Sequence, residues 1–263
     1  MGYVELQALT AFSFQEGASL PEEIANRAAE LNHIAIATAD RNSLSGIVRA
    51  HVAAKKLGLR FIVGTRLDLA DGQSFLAYPK NRSAYGRLCR LITLGRRRAD
   101  KGYCEIYPAD LLEYAKDILL IALPDSNISP NFIQDLQDWR AALGDQVFLA
   151  ASRQLGAEDT SRIQKLSDLA EVSHTPLVAT NNVIMHTAER RKLADILACV
   201  RNKCTVDTLG RRALINAERH LKSETEMLDL FRGYEAAVTR SVEIAERCDF
   251  NLDELRYEYP EEP

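Results

Sequence analysis

Seven apolar runs of strand length recur along the chain: YVEL (3–6), IAIATA (34–39), RFIVGTRLDL (60–69), SFLAYP (74–79), ILLIAL (118–123), QVFLAAS (146–152) and PLVATN (176–181). Most are separated by segments whose apolar residues repeat with helical spacing. Sustained strand–helix alternation restricts the fold to a parallel sheet covered by helices, either wound open or closed into a barrel. Seven strands within about 200 residues favour the barrel. One departure is visible, because the third and fourth runs flank Asp71-Gly72, a turn pair suited to an antiparallel hairpin.

Helix signals fill the gaps. Ser19 is a candidate N-cap with Pro21 in the first turn, and Leu44, Ile47, Val48 and Val52 share one helical face that Gly58 ends. Tyr85, Leu88, Cys89 and Ile92 mark a helix over 83–98, and Pro108 opens a short one. Further helices are expected over 130–143, 158–172 and 187–201. Beyond them Ser223 and Glu226 stand at capping-box spacing, followed by a helical stretch over 234–248.

With 263 residues, a net charge of −4 and a pI near 5.8, the chain is no general nucleic-acid binder with a uniformly basic surface. ILLIAL, the longest wholly apolar run, falls far short of the ~20 residues of a membrane span, so no membrane partner and a soluble, cytoplasmic protein are expected. The five cysteines are odd in number and form no C-x-x-C pair. Cys199 and Cys204 have a poor spacing for zinc, which leaves reduced, structural thiols as the expectation.

In β/α barrels the reactive groups stand at the C-terminal ends of the strands. Those ends offer Gln7, Leu9, Asp40, Arg41, Arg66, Ser74, Asp125, Ser152, Asn182, Ile184 and His186. A hydrolytic metal centre needs several carboxylates or imidazoles, and only Asp40, Asp125 and His186 qualify. His33 and His174 precede their strands, while His51 and His220 fall on helices or beyond the barrel. No phosphate-binding glycine loop and no nucleophile elbow is present. The stretch 86–102 concentrates Arg87, Arg90, Arg96, Arg97, Arg98 and Lys101, a candidate nucleic-acid or interdomain contact if it is more than a solvated helix end.

Several stretches together carry a family resemblance: YVEL with FSF-x-x-GAS-x-PEE, ADRNSLSGIVRAHVAAK, KNRSAYGRLCRLITLGRRRADKG, PLVATNNV, ERRKLADILACVR, NAERHLKS and LDELRYEYP. The chain resembles the N-terminal polymerase-and-histidinol-phosphatase (PHP) domain of bacterial C-family DNA polymerases, most closely the error-prone branch. The resemblance implies an α/β fold with a distorted (β/α)7 barrel over 1–205. A helical extension packed on the barrel over 206–250 and the start of a linker over 251–263 would follow. It also implies up to three metals at the C-terminal face of intact members.

Carried over residue by residue, the vestigial metal positions are Gln7, Leu9, Asp40, Arg41, Arg66, Ser74, Asn182 and Ile184. Only Asp40 is a carboxylate or imidazole, so no metal and no catalytic residue is expected in this chain. Arg66, or else Arg41, is expected to pair with Asp40 in place of the lost cations.

The resemblance further implies a supporting role in a translesion polymerase active in DNA repair. Its partners would be the rest of the polymerase chain, DNA, the sliding clamp and damage-induced accessory proteins. Mg2+ would be a cofactor of the polymerase domain alone. The alternatives are a residual metal-dependent phosphoesterase or 3′–5′ exonuclease, and a free-standing interaction module.

Overall fold

The computed structural model describes residues 2–125 and 127–255. Most of the expected linker, 256–263, lies outside the described residues. In chain order the elements are β1 (Val4–Ala8), α1 (Pro21–Glu30), β2 (Ala35–Thr38), α2 (Ile47–Lys56), β3 (Arg60–Ile62), β4 (Thr65–Asp68) and β5 (Ser74–Pro79). Next come α3 (Arg82–Arg98), α4 (Pro108–Tyr114), β6 (Ile118–Ala122), α5 (Phe132–Leu143), β7 (Val147–Ala151), α6 (Asp159–Val172) and β8 (Leu177–Ala179). The chain continues through α7 (Arg191–Asn202), α8 (Val206–Leu209), α9 (Glu224–Leu230) and α10 (Glu235–Glu246).

Eight strands, not seven, are present among the described residues, because the run 60–69 breaks at Val63-Gly64 into β3 and β4. Only glycine fits at the break. A Cβ on Gly64 would stand 2.3 Å from Cε1 of the buried Tyr78 and 3.1 Å from the carbonyl oxygen of Thr38. The backbone at the break passes close against the Tyr78 ring, whose hydroxyl donates to the Leu6 carbonyl across the interior.

The strands form two sheets in place of the expected barrel. β1, β2 and β3 are parallel, whereas β4 to β8 run in sequence order with β4–β5 and β5–β6 antiparallel and the rest parallel. The hairpin expected at Asp71-Gly72 is the β4–β5 connection, with Gly72 at φ 94°. No continuous ladder closes the ring among the described residues. Isolated parallel bridges join the sheets at one rim instead, Ala8 to Val183 and Arg41 to Arg66.

Alternate strand residues still converge as in a barrel. Leu6, Ala37, Ile62, Leu76, Ile121 and Ala150 belong to one central cluster that also includes Ile244 and Cys248, from α10 and just beyond it. Arg60, at the start of β3, donates to the carbonyls of Ala245 and Cys248, which places α10 at the end where the parallel strands begin. The opposite faces of β5 to β8 pack under the outer helices, with Leu88, Trp139 and Leu166 among the buried contacts.

Helix ends follow local chemistry with one correction. The N-cap of α1 is Leu20 rather than Ser19; the Glu23 carboxylate accepts from the Leu20 N–H at 2.8 Å, while the Ser19 hydroxyl is engaged by His186. At α9 the expected capping box forms, with Ser223 and Glu226 exchanging side-chain-to-backbone bonds.

Substituting Gly64→Ala forces either Tyr78 or the β2 backbone to move. A loss of roughly 1–3 kcal/mol is expected, measurable as a lower denaturant midpoint, and a midpoint equal to that of the unaltered chain contradicts this account of the break.

Candidate functional site: the rim at the strand ends

The rim where β1, β2, β4 and β8 end holds several different local arrangements. At the end of β1, Gln7 is buried and its side-chain oxygen accepts from the Thr180 hydroxyl at 2.7 Å. Leu9 is buried against Ala18, Ile184, Met185 and Ala194. Backbone bonds from Leu9 N–H to Val183 O and from Val183 N–H to Gln7 O, both 2.8 Å, draw these side chains together. Around Leu9 this part of the rim is an apolar plug.

Asp40, after β2, is the second arrangement. One carboxylate oxygen accepts from the Thr10 N–H at 2.8 Å and the Ser13 hydroxyl at 2.7 Å; the other accepts from the Thr10 hydroxyl at 2.8 Å. Burial pushes the Asp40 pKa upward against the opposing pull of these donors. The expected pairing of Asp40 with Arg66 or Arg41 does not occur. Neutral donors from the Thr10–Ser13 loop satisfy the carboxylate, and the guanidiniums turn to another acid.

That acid is Asp68, the centre of the third arrangement. Arg41 Nε donates to Asp68 Oδ2 and Arg66 Nε to Asp68 Oδ1, each at 2.7 Å. The Ser74 hydroxyl donates to the same Oδ1 at 2.7 Å and accepts from Arg66 at 3.3 Å, while Arg41 also pairs with Glu16. Burial alone would raise the Asp68 pKa, yet Arg66, Ser74 and Arg41 outweigh it and hold the carboxyl below its ordinary value. Burial would lower Arg41, but Asp68 and Glu16 outweigh it and raise that guanidinium further.

On the β8 side, Asn182 takes a positive φ of 48° and accepts from Arg219 through both its backbone and side-chain oxygens, at 2.9 and 2.8 Å. Burial lowers Arg219 to about 10. His186 contacts Ser19 rather than a metal-ligating set: its Nδ1 and the Ser19 Oγ are 2.8 Å apart, and its backbone N–H donates to the same hydroxyl. Burial lowers the His186 pKa, which suits a neutral ring. Asp125 is exposed and Ser152 partly buried beyond their strands, and neither joins the rim network.

The donor set does not fit a divalent metal. Among the described residues no three His, Cys, Asp or Glu side chains converge to hold one. Both oxygens of Asp40 face hydrogen-bond donors, and the neighbouring acid is already matched by two guanidiniums.

The reading by strand ends overlooked Thr10, Ser13, Glu16, Asp68 and Arg219. Asp68 carried a usable signal, since it stands two residues from Arg66 on one strand and therefore on the same face. Thr10 and Ser13 carried none, because their role depends on how the loop after β1 folds over β2. Glu5 was also overlooked. It is wholly buried in β1, and its carboxylate accepts from the Tyr3 hydroxyl and from the Gln7 and Asn181 N–H groups; burial raises its pKa.

The basic stretch divides by contact. Arg87 donates to the Lys116 carbonyl and Asp117, Arg96 to the Asn42 carbonyl, and Arg98 pairs with Asp110 over the Tyr107 ring. Arg90, Arg97 and Lys101 are exposed and make no ion pair among the described residues. Arg96 and Lys101 border a cavity of about 580 Å³ that reaches Arg41 and Asp68, so this end of the stretch meets the rim.

Comparison with known proteins gives this rim its relatives. The family model for the PHP domain matches residues 5–142. The chain belongs to the PHP domain family. Its α/β fold is of the PHP type, although the strands form two bridged sheets rather than one closed ladder.

Similar curated proteins include the error-prone DNA polymerase of Caulobacter vibrioides, 45% identical over 262 residues, and error-prone DNA polymerase 1 of Agrobacterium fabrum, 42% identical over 260. Each match covers 99% of this chain and 24% of the relative, so this PHP domain spans about a quarter of their length. A solved amidohydrolase from Chromobacterium violaceum, with sulfate bound and no metal, superposes with a TM-score of 0.56 at 12% identity. The match covers 70% of this chain and 88% of that one, and is a likeness of fold. No helix among the described residues is long and apolar enough to cross a membrane.

The two acids of the rim should titrate on opposite sides of an ordinary aspartate. Carboxyl-carbon NMR is expected to place Asp40 above, and Asp68 below, the usual value near 3.9. Because the Asp68 pKa is depressed on folding, its stabilisation is present above the unfolded value and lost as pH falls through the folded one. Asp68→Asn should therefore cost roughly 1–3 kcal/mol near neutral pH, with the deficit shrinking towards about pH 3. A deficit that stays constant over that range contradicts the ion-pair assignment.

Proposed function

We propose that this PHP domain is non-catalytic and metal-free, and that it supports an error-prone polymerase mechanically. The carrying observation is the charge and shape of its rim. A divalent cation there would meet the guanidiniums of Arg41 and Arg66 around Asp68, and the Leu9–Ile184 plug beside them. Hydrolysis by metal-activated water needs the reverse, several carboxylates or imidazoles with one open coordination position.

The names and lengths of the relatives support a polymerase-associated role. On this reading the whole protein would extend DNA past damaged template bases, with Mg2+ held by acidic residues outside this chain. Sliding clamp and damage-induced accessory proteins would be partners of that larger assembly.

Elemental analysis of the purified 263-residue chain tests the reading. Less than one equivalent of Zn, Mn or Fe per chain is expected, with a Tm unchanged by chelator, since a ligand bound only to the folded state would raise it. More than one equivalent, with a Tm that falls on chelation, favours the residual phosphoesterase or exonuclease instead.

Arg90, Arg97 and Lys101, the exposed cations of the basic stretch, are proposed to face the polymerase domain or primer–template DNA. If they reach phosphates, replacing all three with alanine in the full-length polymerase weakens DNA binding and flattens its salt dependence. The slope of log K against log salt falls by about 0.7–0.9 for each phosphate no longer neutralised. An unchanged slope assigns them to solvent or to the interdomain contact.

A further inference from the structure

We propose that Cys199 and Cys204 form a reversible dithiol–disulfide pair whose oxidant is a low-molecular-weight disulfide. The pairing follows from how α7 ends. Lys203 stands in the left-handed region at φ 51°; its N–H donates to the Val200 carbonyl at 3.2 Å, and the N–H of Cys204 donates to the Cys199 carbonyl at 3.1 Å. This is the Schellman helix end, in which the side chain just past the left-handed residue folds back onto the last turn of the helix. The positions that meet are ordinarily both apolar; here both are cysteine.

Packing agrees with the backbone. Cys199 is buried in a small cluster with Ala198 and Leu209, and the half-buried Cys204 packs against that cluster beside Ala213. Burial raises the Cys199 thiol, and the Cys204 thiol beside it raises it further. Cys204 is the more accessible sulfur and Cys199 the shielded one. Nothing similar surrounds the other three cysteines. Cys248 is buried, pushed up to about 12 and bonded to the Ile244 carbonyl, while burial also raises Cys89 and Cys104.

The step balances as two thiol–disulfide exchanges. The Cys204 thiolate attacks one sulfur of R–S–S–R, forming a mixed disulfide and releasing R–S⁻, which takes up a proton. Cys199 then loses its proton, its thiolate attacks Cys204 Sγ, and the second R–S⁻ leaves and is protonated. The dithiol is oxidised by two electrons and R–S–S–R is reduced to two R–SH; excess thiol reverses both steps. The product ties the last turn of α7 to the residue that leads into α8.

The test equilibrates the 263-residue chain with mixtures of reduced and oxidised glutathione, then quenches with acid, alkylates the free thiols and maps tryptic peptides by mass spectrometry. The expected product is peptide 193–201 linked to peptide 204–211, with Cys89, Cys104 and Cys248 alkylated. Cys199→Ser removes the second exchange, so glutathione held on Cys204 should rise by about tenfold or more over the unaltered chain. The proposal is overturned if Cys199 and Cys204 remain alkylated at the oxidising end of the series. It is overturned equally if Cys204 carries glutathione to the same extent with and without Cys199.

Discussion

The two sheets of this domain meet at two places, and the seam between β2 and β4 is clasped by one carboxylate, that of Asp68. Arg41 follows β2 in the first sheet, Arg66 lies in β4 of the second, and Asp68 bonds to both guanidiniums at 2.7 Å. The backbone runs the same way across the seam: Arg66 N–H donates to Asp40 O, Asn42 N–H donates to Arg66 O, and the Asn42 side chain accepts from Asp68 N–H. Two arginines so close would repel each other without the acid between them. With it they form a charge-assisted clasp over the point where Gly64 interrupts the strand.

The clasp also sets what the rim can do. Intact members of this family, by the resemblance, place cations among carboxylates and imidazoles at the corresponding strand ends. Here positive charge is supplied by side chains covalently part of the chain, and Asp40 is left to neutral donors. Burial without a cationic partner explains why Asp40 is raised while Asp68, on the same rim, is lowered. Leu9 and Ile184 add apolar packing to the same rim.

Much of this was legible beforehand. The strand and helix periods located nearly every element. The pairing of Arg66 with Asp40 was the wrong choice of acid. It assumed that the retained carboxylate would inherit the charge left behind, whereas Asp68, on the same strand face as Arg66, needed no rearrangement to reach it. The cysteines were likewise read from their spacing alone. The separation of Cys199 from Cys204 says little until the left-handed turn at Lys203 is known.

The sequence by itself determined the α/β alternation, the hairpin at Asp71-Gly72 and the capping box at Ser223, because each depends on residue type at short range. Tertiary structure alone decided three things. It split the third strand beside Gly64, where Tyr78 and Thr38 on other strands leave no room for a side chain. It assigned Asp40 to the Thr10–Ser13 loop and both arginines to Asp68, since hydrogen bonds between distant segments are chosen by reach and direction rather than by charge alone. It left the ring as two bridged sheets, because both between β2 and β4 and between β1 and the residues after β8 the ladder is reduced to an isolated bridge.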